Sequence, residues 1–176
     1  MIRGMTDAAP DKSSRESPFW RFSVRFYARP EVAPACLELQ DKAGVDVNLM
    51  LFLLFLAEEK RVLTNDEVVR LDARIASWRA QVVMPLRDLR RRLKGGIGEA
   101  ARDLSEGLRN MVKRVELEAE RLEQGLLEAH AAEVGTTGTS REAAAQANLA
   151  TYGAFLGGLP EAPLQIVLAA FTTSPP

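Results

Sequence analysis

A chain of 176 residues that is 47 % hydrophobic and 27 % charged carries enough apolar mass to bury one substantial core, and too much to stay disordered. A formal charge of −1 argues against a dedicated polyanion binder of the strongly basic type. One cysteine and one histidine exclude an internal disulfide and leave no cluster to hold zinc or an iron–sulfur centre, so no cofactor is expected.

Residues 1–16 lack the continuous apolar segment of a secretory signal and read as a flexible tail. Ser17-Pro18 then makes a helix start: serine accepts from a free amide, and proline at the first helical position loses no needed donor. Aromatic bulk from Phe19 to Tyr27 fills that helix, which should stop before Pro30. Pro34 opens a second helix that Gly44 ends. Asp46 caps a third, with Val45 and Met50 placed as a hydrophobic staple, and its run Leu49 to Ala57 is far shorter than the roughly 20 residues of a membrane span.

Thr64 and Glu67 have capping-box spacing for a fourth helix, whose stripe is Val68, Leu71, Ile75, Trp78, Val82 and Leu86. Pro85 removes the amide bond to Gln81 and predicts a kink there, after which helix resumes to Gly95-Gly96. From about Gly98 to Glu133 the chain is charge-rich, with Leu104, Leu108, Met111, Val115, Leu122 and Leu126 as a discontinuous apolar stripe. Gly135 to Ser140 reads as a linker, Ser140 caps an alanine-rich helix to Phe155, and Leu164 to Phe171 forms a last short one. The expectation is an all-α compact bundle of about six helices, kinked in the fourth near Pro85. A main domain at 17–134 and a flexible linker at 135–140 would be followed by C-terminal helices at 141–176 packing on that domain.

The blocks PFWRFSVRFYARPEV, CLELQ, GVDVNLMLFLLFLA and WRAQVVMPLRDLRRRLK, in this order from Ser17 to Lys94, resemble a family of small helical proteobacterial proteins that is a domain of unknown function. The resemblance implies a helical fold and brings no chemistry, substrate or cofactor with it.

Arg79, Arg87, Arg90, Arg91, Arg92 and Lys94 form a basic cluster opposed locally only by Asp88. Three- and four-residue steps place Arg87, Arg90, Arg91 and Lys94 on one helix side, with Leu86, Leu89 and Leu93 toward the core. The bland reading is a solvated or internally paired face; the sharper one is a surface for a protein partner or an anion, since guanidinium groups chelate carboxylate and phosphate. Asn48, two residues past the cap, either faces solvent or points inward and requires partners, with Gln40 or an arginine from the Trp78 helix available. Trp78 is a core residue or a pocket wall. Cys36 reads as a small buried apolar residue, and His130 has no triad relation. Adjacent carboxylates such as Glu58-Glu59 diverge on a helix and suit solvation better than metal binding.

Two functions follow. The first is a cytoplasmic, non-enzymatic binding or adaptor protein that uses the basic helical face at Arg79, Arg87, Arg90, Arg91 and Lys94, with homo-oligomerisation open. The second is a small-molecule binder or enzyme acting on an anionic substrate in a pocket near Asn48 and Trp78. Neither expectation includes a nucleic-acid or membrane-spanning element.

Overall fold

The computed structural model describes residues 17–97 and 102–173. The expected tail at 1–16 lies outside them. The chain forms α1 (Pro18–Tyr27), α2 (Val32–Ala43), α3 (Val47–Glu58), β1 (Arg61–Val62), α4 (Asn65–Trp78), a π-helical turn (Arg79–Val83), α5 (Met84–Arg92), α6 (Arg102–Glu128), a 3₁₀ turn (Ala131–Glu133), β2 (Thr136–Thr137), α7 (Arg141–Leu156) and α8 (Glu161–Thr173). The π turn joins α4 to α5 in one kinked rod, so the described residues make seven helical rods, in keeping with the expected all-α bundle of about six.

Local chemistry sets the helix starts as the sequence implies. Ser17 Oγ accepts from Trp20 N at 3.1 Å, Asp46 Oδ1 from Leu49 N at 2.9 Å, and Ser140 Oγ from Ala143 N at 3.1 Å. Thr64 and Glu67 close a reciprocal capping box. Gly44 and Gly157 end α2 and α7 in the left-handed region, at φ 66° and 83°. Helix α2 starts slightly earlier than expected, leaving Pro34 within its first turn, where a missing amide costs nothing.

Helix α3 is the central rod. Leu49, Met50, Phe52, Leu53, Leu54, Leu56 and Ala57 are all fully buried, a helix apolar on every side because α1, α2, α6 and α7 surround it. Phe19 packs on Phe52 edge-to-face at 5.1 Å and on Phe55 at 5.4 Å, which seats α1 on this rod. Arg141 clamps Glu58 through two contacts of 2.6 and 2.7 Å and lies 4.1 Å over the Phe171 ring, tying α7 and α8 to the far end of α3.

The kink comes earlier than Pro85. Met84 N donates to Arg79 O, five residues back, so the helix widens in the turn before the proline, and Pro85 then sits in the first turn of α5. The extra residue in that turn rotates the stripe: Val83 is buried where Val82 was expected, and Leu89 faces solvent while Leu93 stays buried. The stretch 135–140, read as a linker, runs along the turn after α3. There Thr136 and Thr137 pair antiparallel with Val62 and Arg61, and Glu67 accepts from Gly135 N at 2.9 Å. Among the described residues no helix is long and apolar enough to cross a membrane.

Candidate functional site

The long helix α6 is inverted relative to its sequence pattern. Its side against the bundle holds Ser105, Val112, Glu116, Ala119, Glu123, Gln124 and Leu127, all buried. The apolar stripe expected to seek the core faces outward: Leu108, Met111, Val115, Leu122 and Leu126 are 43–54 % exposed. Leu104, the first residue of that stripe, lies outside the described side chains. Two surfaces of α6 therefore need an account.

The inner surface explains where the arginines go. Arg87 reaches Glu120 at 2.8 Å and Glu116 at 3.4 Å, and Arg90 forks onto both oxygens of Glu116, one of them at 3.1 Å. Arg79 bridges Asp72 at 2.8 Å and the capping Asp46 at 3.3 Å. Arg91 turns to Asp41 at 2.9 Å on the surface, Arg92 donates to Asp88 O, and Lys94 is exposed. The basic face expected to look outward is thus largely spent on the chain's own carboxylates, because α6 supplies Glu116 and Glu120 where α5 packs. Of the predicted binding set, only Arg91 and Lys94 present charge to solvent.

Asn48 points inward, but to neither partner expected from sequence. Its amide donates to Glu123 Oε2 at 2.8 Å and accepts from Gln124 Nε2 at 2.9 Å. Trp78 Nε1 donates to Ala119 O at 2.9 Å, and Tyr152 Oη accepts from Asp46 N at 2.9 Å. Asn48, Trp78 and Arg87 therefore meet α6, Arg79 is held by Asp72 and Asp46, and all four are engaged by protein. Sequence reasoning missed Glu116, Glu120 and Glu123. Their signal was the spacing of four and three, which aligns all three on one helix side.

The network is overloaded with negative charge: Asp46, Asp72, Glu116, Glu120 and Glu123 face Arg79, Arg87 and Arg90. Glu123 is fully buried, and its Oε1, like Gln124 Oε1, has no hydrogen-bond partner among the described residues. Burial first, and then the charge on Asp46, push the Glu123 carboxyl up to about 8, with the Asn48 hydrogen bond opposing them. Glu120 is raised as well, by burial against the pull of Arg87. Burial opposes the charge on Arg79, but Asp72 and Asp46 outweigh it and its pKa rises. The interior accordingly holds Glu123 as a neutral acid near neutral pH.

Other sequence candidates stay structural. Cys36 is buried and its thiol is pushed up by desolvation to about 12, which leaves almost no thiolate. His130 meets Glu133 at 3.1 Å. Asn148, not singled out as a site, is fully buried and staples β1 by donating to Leu53 O and Arg61 O, both at 3.0 Å, while accepting from Leu63 N at 2.9 Å. Among the described residues no group of three His, Cys, Asp or Glu is placed to hold a metal ion.

The outer surface of α6 carries a groove of about 270 Å³ at its C-terminal half, between Trp20 of α1 with its cap Ser17 and Leu122, Gly125 and Leu126 of α6, with the charged Arg121 and Glu128 also in its wall. A Cβ at Gly125 would meet nothing within 4 Å, so the helix backbone itself is approachable there.

The family described as a protein of unknown function (DUF2390) matches residues 18–127, from the first turn of α1 nearly to the end of α6. No curated protein and no solved structure matches the chain.

Proposed function

We propose, since the chain belongs to the DUF2390 family of proteins of unknown function, a role read from geometry: a non-enzymatic interaction module that receives another protein along the outer side of α6. The observation that carries it is the inversion of α6. A helix that buries Glu116, Glu123 and Gln124 while showing Leu108, Met111, Val115, Leu117, Leu122 and Leu126 to water carries the pattern of a helix that docks in a groove or a seam. The basic side contributes less than the sequence implied, with Lys94 and the surface pair of Arg91 with Asp41 as its exposed edge. We place the protein in a bacterial cytoplasm, a compartment suited to a lone buried thiol such as Cys36.

An anionic substrate near Asn48 and Trp78 is the weaker reading. Such a ligand would have to displace Glu116 and Glu120 from Arg87, or Asp46 and Asp72 from Arg79, exchanging buried ion pairs for new ones at no evident gain.

The test is a photo-reactive phenylalanine analogue placed at Val115, with Arg25 on exposed α1 as the control position, irradiated in native lysate. A defined protein adduct at position 115 that position 25 does not give, with its second chain identified by mass spectrometry, supports the module. Equal labelling at both positions, or none, overturns it.

A further inference from the structure

We propose that Glu123 is a proton-operated latch on α6: with its proton in place residues 121–128 stay docked on α3, and loss of that proton lifts them while the helix upstream stays held. The inference concerns the inner side of α6 alone and is independent of what meets the outer side.

Glu123 is fully buried and belongs to no ion pair among the described residues. Asn48 Nδ2 donates to its Oε2 at 2.8 Å, while its Oε1, like the Oε1 of the next residue Gln124, is a bare buried acceptor. A proton on Glu123 Oε1 removes the charge and turns one bare acceptor into a donor. Without that proton a carboxylate stands in the interior on one hydrogen bond, a state that burial penalises unless a cation answers it.

The cations turned toward it from the neighbouring elements each have a carboxylate already. Arg79 of the π turn is held by Asp72 of α4 at 2.8 Å and by Asp46, the cap of α3, at 3.3 Å. Arg87 and Arg90 of α5 are taken by Glu120 and Glu116, which lie on the same helix as Glu123. Tyr27 of α1 stands near Glu120 and Tyr152 of α7 near Asp46, and burial keeps both phenols neutral. Asp46 and Glu120 add like charge around Glu123.

The same contacts mark where the helix would part. Upstream, α5 grips Glu116 and Glu120, and Trp78 Nε1 donates to Ala119 O at 2.9 Å. Downstream, the polar ties are the two Asn48 bonds, to Glu123 and Gln124, and Glu128 Oε1 accepting from Phe19 N at 3.0 Å. Gly125 weakens the helix there relative to alanine. The hinge therefore falls after Glu120. Docked, these turns hold the Glu123 proton to about pH 8, against 4.5 for the ordinary group. Raising pH draws out the lifted form about tenfold per unit, and the effect levels off above about pH 8.

The experiment is amide hydrogen exchange of the purified full chain from about pH 6 to about pH 9, resolved by residue and corrected for intrinsic exchange. Protection at residues 121–128 is expected to fall about tenfold per pH unit, to level off above about pH 8, and to stay below that of the α3 amides throughout. In Glu123→Gln that slope should vanish. Asp46→Asn keeps a capping side chain and removes the neighbouring charge, so its levelling point should move to lower pH. Three results overturn the latch: no slope at residues 121–128, a slope that persists in Glu123→Gln, or protection equal to that of α3 at every pH, which would mean that these turns leave only when the whole chain unfolds. Should circular dichroism show Glu123→Gln unfolded, Asp46→Asn decides, and an unmoved levelling point overturns the latch.

Discussion

Replacing Glu123 by Gln should flatten the pH dependence of stability, because a neutral amide of the same shape removes a carboxyl that the bundle buries with no ion pair among the described residues. The folded protein holds the Glu123 proton to about pH 8, against 4.5 for the ordinary group. The native state therefore binds more protons than the unfolded chain between those values, and wild-type stability falls as pH rises through the window, levelling off above about pH 8. At about 1.4 kcal/mol per pKa unit the full penalty reaches on the order of 5 kcal/mol, and about 3 kcal/mol of it is present at pH 7. Because the side chain is fully buried, little solvent screening reduces it. Glu120 is raised in the same direction and Asp46 and Arg79 lie within the network, so the quantity to read is the difference between wild type and variant. Urea unfolding followed by circular dichroism at steps from about pH 5 to about pH 9 gives that difference. It should grow in favour of Glu123→Gln as pH rises. A difference that stays constant, or grows in favour of the wild type, would refute the buried neutral acid.

Asn148→Ala should cost about 3 kcal/mol by denaturant unfolding, since it orphans the Leu53 and Arg61 carbonyls and the Leu63 amide at about 1 kcal/mol each. Asn148→Asp should recover little, because it cannot donate to either carbonyl. Arg90→Glu should lower the unfolding midpoint clearly, placing a carboxylate against Glu116, whereas Arg91→Glu, whose pair with Asp41 is exposed, should shift stability by less than about 1 kcal/mol. Cys36 should react with a thiol reagent only at the rate of opening of the fold, and adding denaturant should raise that rate together with the unfolded fraction.

Local signals carried most of the helix boundaries. Ser17, Asp46, Thr64 with Glu67, and Ser140 act within three residues of themselves, so their capping bonds follow from the sequence whatever packs around them. The unbroken apolar run of α3 likewise requires burial on every side. What long-range pairing decides was not legible. Periodicity shows that α6 has an apolar stripe and a glutamate side, but which side meets the bundle depends on α5 delivering Arg87 and Arg90 to Glu116 and Glu120, and on Asn48 needing Glu123 and Gln124. The two-residue strands at Arg61–Val62 and Thr136–Thr137 are too short to have a period, and Asn148 gives no local hint of the three backbone groups it joins. The π turn was displaced from Pro85 because a missing amide can be relieved by widening the turn before it.

The orientation of α6 is tested most directly by the unfolding free energies of Leu122→Glu and Leu127→Glu, measured on dilute protein. Leu127 is fully buried and Leu122 is half exposed on the opposite side, although the two are equally apolar in sequence. Leu127→Glu should lose several kcal/mol or fail to fold, through burial of an unpaired charge. Leu122→Glu should retain a cooperative transition within about 0.5 kcal/mol of the wild type. The reverse ranking, with Leu122→Glu the damaging change, would mean that the apolar stripe faces the bundle and would remove the basis for an interaction surface on α6.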